Sequence, residues 1–110
     1  MPNKNYRRGV AIERKVKDYL EILGYTVIRA AGSHGAWDII AVKEGTTEPV
    51  RCIQVKRAAT LIGARRARLK HQFPNMESGF QPYQQELWVW VDRKGWLHDV
   101  ESEGLTNPSK

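Results

Sequence analysis

The chain has 110 residues, 41% of them hydrophobic and 27% charged, which gives room for one domain and excludes wholesale disorder. Eighteen Lys and Arg against twelve Asp and Glu leave a net charge of +6, which points to a polyanionic partner. A single cysteine, Cys52, excludes an intrachain disulfide and an all-cysteine zinc site, and no apolar run approaches the roughly 20 residues a membrane helix needs.

In chain order, Ile12, Val16, Tyr19, Leu20 and Leu23 recur at helical spacing and Gly24 follows as a stop, so a helix is predicted over about 6–23. Tyr25 to Arg29 is short and β-branched, hence a strand; residues 30–35 are small and Gly-rich, hence a tight loop. Trp37 to Val42 reads as a second strand, residues 44–49 as its turn, and Val50 to Lys56 as a third strand. A second helix is predicted from about Leu61 to Phe73, ending before Pro74, because the residue preceding a proline disfavours the α region. Glu86 to Asp92 and Trp96 to Val100 form a hairpin around Arg93-Lys94-Gly95. The order α-β-β-β-α-β-β predicts one small α/β domain over residues 1–110, a central mixed β-sheet flanked by helices, with a frayed tail over about 102–110. The polar, basic N-terminus, without the apolar stretch of a secretory signal, leads us to expect a soluble cytoplasmic protein.

Alternation along the third strand places Ile53 and Val55 on one face and Cys52, Gln54 and Lys56 on the other. If the first pair is core, Gln54 and Lys56 emerge side by side, about 7 Å apart. Asp38 opens the neighbouring strand directly after the glycine loop, and Glu13 flanks the apolar stripe of the first helix. Taken singly, each has an ordinary structural reading: a solvated helix residue, a turn residue, a half-exposed strand. Their joint placement is what phosphodiester hydrolysis needs: a hard divalent cation on oxygen ligands, a positioned water, and a positive charge near the developing negative one. Asp38, Glu13 and Gln54 are the candidate metal ligands, for Mg²⁺ with Mn²⁺ as a substitute, and Lys56 the group that orients or polarises water. No His/Cys pair has zinc-ligand spacing, and Cys52 lacks a basic partner, so it is read as a bystander.

The set Arg8-Gly9, Glu13-Arg14, Gly24-Tyr25-x-Val27-x-Arg29, Ala31-Gly32-Ser33, Asp38-Ile39-Ile40-Ala41 and Gln54-Val55-Lys56 resembles the archaeal-type Holliday junction resolvases of the PD-(D/E)XK nuclease superfamily. The resemblance covers roughly Tyr6 to Arg57. It implies a restriction-endonuclease-like fold and catalytic roles for Glu13, Asp38 and Lys56. It also implies DNA contacts at Arg8, Arg14, Arg29 and Ser33. Members are homodimers that use magnesium to nick opposed strands of a four-way junction symmetrically. The departure is Gln54, where the family usually has glutamate: a neutral amide attracts Mg²⁺ less.

From Pro49 to Met76 there are seven basic residues, Arg51, Lys56, Arg57, Arg65, Arg66, Arg68 and Lys70, and no acid. A solvated helix normally mixes signs, so Arg65 and Arg68 on one flank, and Arg66 and Lys70 on the other, of a helix centred on Ile62, Leu69 and Phe73 are read with Arg57 as phosphate contacts. His34, in the glycine loop, is a further candidate for touching phosphate. Residues 77–110 carry six acids and three bases and read as scaffold. Trp88 and Trp90 share a strand face with Glu86 and Asp92, so a helix or a second subunit is expected to cover them; a twofold interface there would add Phe73, Phe80 or Tyr83.

The function expected is a Mg²⁺-dependent, structure-selective DNA endonuclease acting on branched junctions as a homodimer, without membrane association. The alternatives are the same site acting on flaps, nicks or duplex, and a non-catalytic DNA-binding protein on the nuclease fold. The compact chain fits a phage as well as a cellular source.

Overall fold

The structure, a computed structural model, describes residues 4–29, 37–47, 49–71, 83–100 and 105–106. Helix α1 (Lys4–Ile22) leads into β1 (Thr26–Arg29), β2 (Ile39–Val42) and β3 (Val50–Ala58); helix α2 (Leu61–Lys70) follows, then β4 (Tyr83–Val91) and β5 (Gly95–Val100). The five strands form one sheet in the order β1-β2-β3-β4-β5. All neighbours are antiparallel except β3 and β4, which are parallel and joined through α2. The predicted α/β architecture and element order are those observed.

α1 buries Ile12, Val16 and Leu20, an i, i+4, i+8 stripe, and stops as its glycine demands. Gly24 has φ +97°, and the Tyr25 amide donates to the Leu20 carbonyl at 3.0 Å, closing the last turn. Val16 and Leu20 pack on one sheet face against Ile39, Ala41, Ile53 and Trp88. Alternation sends Leu87, Val89 and Val91 to the other face, where they meet Ala58 and, from α2, Ala64. β4, buried continuously from Gln85 to Val89, is therefore covered on both faces.

α2 departs from expectation in two respects. It ends at Lys70 rather than Phe73: His71 is extended (φ −73°, ψ 129°), its ring half-buried and edge-on to Trp37 at 6.5 Å, so the chain leaves the helical path there. Its inward face is also not built on Ile62 and Leu69, which are 62% and 74% exposed. Small residues face the sheet instead, because the helix lies close to it. A Cβ on Gly63 would stand 3.5 Å from that of Ala58 and 3.3 Å from the Thr60 hydroxyl. That hydroxyl caps the helix by accepting from the Gly63 amide at 3.0 Å. Thr60→Ala is expected to cost about 1 kcal/mol in urea unfolding.

Two further corrections, and one expectation met, concern the C-terminal third. β4 begins at Tyr83, three residues before the predicted start, since Tyr83, Gln84 and Gln85 continue the ladder opposite Val50, Arg51 and Cys52. Of the two covers expected for Trp88, the helix is the one observed: at 1% exposed, the indole packs under Val16 and Leu20 of α1. The predicted frayed tail does not hold at Leu105 and Thr106: Leu105 packs on the second cluster, and Thr106 exchanges backbone bonds of 2.7 and 2.8 Å with His98. The predicted hairpin turn is present, with Arg93 (φ 65°) and Gly95 (φ 96°) both left-handed. Phe73 and Phe80 lie outside the described residues.

Candidate active site

Asp38 sits at the entrance of β2, where antiparallel pairing sets it beside β3. Its amide donates to the Ile53 carbonyl at 2.9 Å, and its Oδ2 accepts from the Val55 amide at 2.9 Å and from Gln54 Nε2 at 2.8 Å. The carboxylate is thereby fixed against β3 through one oxygen. Oδ1 has no protein partner among the described residues. The expected meeting of Asp38 and Gln54 is thus observed, with the glutamine as donor to the acid.

Glu13 reaches the same end of the sheet by another route. Its Oε2 accepts from Arg29 Nη2 at 2.9 Å, and Arg29, the last residue of β1, pairs with Ile39, the neighbour of Asp38. Arg29 Nε is buried without a hydrogen-bond partner among the described residues. Positions 13, 38 and 54 offer two carboxylates and one amide oxygen, hard donors that suit Mg²⁺ rather than zinc. Among the described residues no three His, Cys, Asp or Glu side chains cluster closely enough to hold a metal by themselves.

Lys56 follows Gln54 by two residues, on the opposite side of β3 from α1. Its ammonium has no carboxylate partner among the described residues. It lines a cavity of about 620 Å³ with Gly63, Arg66, Ala67, Lys70 and His71. Burial, then the Lys56 charge, hold the His71 imidazole below the usual histidine range, partly offset by Asp99. Burial pushes the Cys52 thiol up, as suits a bystander.

The segregated charges of the sequence meet in space. Arg51, Arg57 and Arg68 pair with Glu86, Asp92 and Asp99, acids of the C-terminal third. Arg51, one of the seven basic residues of the acid-free stretch, is a structural residue, nearly buried, forking onto Glu86 at 2.6 and 2.7 Å. Arg57 and Arg68, expected at phosphates, have their Nε atoms on Asp92 and Asp99, at 3.1 and 2.9 Å. This division leaves Lys56, Arg65, Arg66 and Lys70 as the cations of the stretch with no acidic partner among the described residues, with exposed Arg14 on α1. The side chain of Arg8, and all of Ser33 and His34, lie outside the described residues. Sequence reading missed Glu86 and His71. Their only signals were an acid inside an apolar strand and a histidine just past a basic helix.

Comparison with known proteins places the chain in a family. A family described as archaeal Holliday junction resolvase (Hjc) matches residues 4–70, which include Glu13, Asp38, Gln54, Lys56 and the whole of α2. The chain belongs to this family. A similar protein is the crossover junction endodeoxyribonuclease Hjc of Methanocaldococcus jannaschii, 45% identical over 47 residues, 43% of this chain and 35% of that protein. The chain thus matches about a third of the length of that relative. Hjc of Archaeoglobus fulgidus, a Holliday junction resolvase, has a similar fold, with a TM-score of 0.59, 21% identity, and coverage of 86% of this chain and 73% of that one. Among the described residues, no helix is long and apolar enough to cross a membrane.

Proposed function

We propose that the protein is a Mg²⁺-dependent endonuclease that resolves four-way DNA junctions by paired, symmetric nicks, working as a homodimer. The observation that carries this reading is the fixing of Asp38 by β3: among the described residues one oxygen is held by Gln54 and the Val55 amide and the other has no partner, and Lys56, two residues after Gln54 on that strand, has no acidic partner. Family membership supports the substrate class.

Asp38 Oδ1, the free oxygen of Glu13 and the amide oxygen of Gln54 would hold the metal. When bound, Mg²⁺ supplies Lewis-acid stabilisation of charge developing on the phosphate. The protein's own part is positional. The β3 backbone pre-sets the Asp38 carboxylate, so no reorganisation is needed at the moment of reaction. Lys56 orients a water through its ammonium donors and stabilises negative charge on the phosphoryl oxygens. Arg29, holding Glu13, fixes the second carboxylate; Arg14, Arg65, Arg66 and Lys70 take up backbone phosphates, which convey position rather than base sequence. A junction-selective enzyme needs that property, because it reads shape.

The deciding experiment incubates the protein with a labelled four-way junction, a flap and linear duplex, with Mg²⁺ and with EDTA. Paired nicks on the junction alone support the proposal, and metal-dependent cleavage of all three points to a general nuclease. Binding without cleavage makes the protein an architectural one, a reading that Gln54 alone favours.

Two outcomes follow. Gln54→Glu adds a charge to the ligand set but removes the amide donor to Asp38, so half-maximal cleavage should occur at equal or lower Mg²⁺. In junction-binding titrations in EDTA, the triple variant Arg65→Gln, Arg66→Gln, Lys70→Gln should flatten the log–log salt dependence by roughly 2 to 3.

A further inference from the structure

The helix positions lining the Lys56 cavity, Gly63, Arg66, Ala67 and Lys70, are spaced i, i+3, i+4, i+7 and so form one face of α2. Along that face two cations alternate with two residues that have almost no side chain. The result is a hollow walled by Arg66 and Lys70, floored by Gly63 and Ala67, with Lys56 across from them on β3 and His71 closing the end. Three positive charges face it, none with a carboxylate partner among the described residues, whereas Arg68 on the same helix is neutralised by Asp99. A volume of about 620 Å³ exceeds what a phosphate alone would fill and lies in the ordinary range for small-molecule sites. The wall is not uniformly polar either: the floor is apolar, and His71, its pKa lowered below that of an ordinary histidine, is an uncharged ring at pH 7. That ring also stands edge-on to Trp37, the residue before Asp38, with centroids 6.5 Å apart, so the hollow lies near the candidate active site.

We propose that this hollow is a binding site for a single nucleotide unit of the cleaved strand, its phosphate held by Lys56, Arg66 and Lys70 and its sugar and base seated over Gly63 and Ala67 against His71. The inference deepens the nuclease reading and rests on Lys56 belonging to that site. It separates the two flanks of α2: the Arg66/Lys70 flank grips an unstacked nucleotide beside the reacting bond, while Arg65, next to exposed Leu69 and Leu105, lies outside it. A strand leaving the branch point of a junction, where stacking is interrupted, can supply such a nucleotide at less cost than continuous duplex.

The test uses the full chain in EDTA, titrated with dAMP, deoxyadenosine and inorganic phosphate, and followed by amide chemical shifts and calorimetry. The expected result is saturable dAMP binding with shifts at Gly63, Ala67 and His71, binding of phosphate at least about tenfold weaker, a difference of about 1.4 kcal/mol, and no binding of deoxyadenosine. Arg66→Gln with Lys70→Gln, both at exposed helix positions, should remove dAMP binding without changing the thermal midpoint. His71→Ala should abolish the preference for dAMP over phosphate while phosphate still binds. Equal affinity for dAMP and phosphate would overturn the nucleotide site, as would no saturation by about 1 mM dAMP. Junction cleavage measured on the same preparation separates the two readings: cleavage without dAMP binding defeats only the pocket, and dAMP binding without cleavage defeats only the nuclease.

Discussion

Asp38→Asn is expected to abolish junction cleavage, by on the order of a thousandfold or more, while leaving fold and DNA binding in place. The substitution is nearly isosteric, and an asparagine oxygen can still accept from the Val55 amide and Gln54 Nε2, the two bonds that fix the side chain to β3. What changes is the second position. In place of an open carboxylate oxygen the site presents an N–H₂ group, a donor where a cation must be received. Asp38→Ala is the less informative variant, since it leaves a backbone amide and a glutamine amide unpaired at a half-buried position, a cost of about 1–3 kcal/mol. Nicking of a labelled junction in Mg²⁺, beside mobility shift in EDTA and a thermal melt, reads the three properties separately. Full cleavage by the asparagine variant would show that Asp38 holds no metal and that the nuclease proposal is misplaced. Loss of cleavage with intact binding is the expected pattern.

How much of this was legible in the sequence depends on the range of the interaction. The stripe Ile12, Val16, Leu20 and the stop at Gly24 are local, and they placed α1 to within two residues at its start and one at its end. Asp38 and Gln54 were also foreseeable, because strand alternation and a short connection leave few ways to arrange two adjacent strands. The reading failed where partners are distant in sequence. Arg51, Arg57 and Arg68 stand in a run without acids, and only the parallel register of β3 on β4, set through a crossover of more than twenty residues, brings Glu86 and Asp92 beside the first two. Asp99 reaches Arg68 one strand further on. The same blindness misjudged α2: Ile62 and Leu69 look like an inward face until the close approach at Gly63 and Ala58 shows that only small residues fit there. These pairings leave four of the seven cations, Lys56, Arg65, Arg66 and Lys70, without an acidic partner among the described residues.

The largest stability effect is expected from Arg51→Met. Glu86 is fully buried in the sheet. It accepts from Arg51 twice, from His98 Nε2 at 2.6 Å, and from Trp88 Nε1 and Gln84 Nε2, each at 3.0 Å. Burial by itself would push its carboxyl up; the hydrogen bonds and charges of Arg51 and His98 outweigh that and hold it at about 2, against 4.5 for a free glutamate. With the folded value depressed, the stabilisation is complete above pH 4.5 and is lost as pH falls through about 2. Removing Arg51 strands a buried charge, at a cost of roughly 3–5 kcal/mol near neutral pH, and the cation–π contact of Arg51 with the Tyr25 ring goes with it. The sign of the pH dependence should then invert. Burial is no longer outweighed, the folded carboxyl titrates above its unfolded value, and the variant loses stability as pH rises from about 4.5 toward 7. Adding Glu86→Leu removes the stranded charge and should recover part of the loss, but not all, because His98 and Trp88 lose their acceptor. Urea unfolding of the three proteins from pH 3 to 7 checks each step. Parallel curves for the wild-type and Arg51→Met proteins would mean that Glu86 is held ionised by its other donors, His98, Trp88 and Gln84, without Arg51.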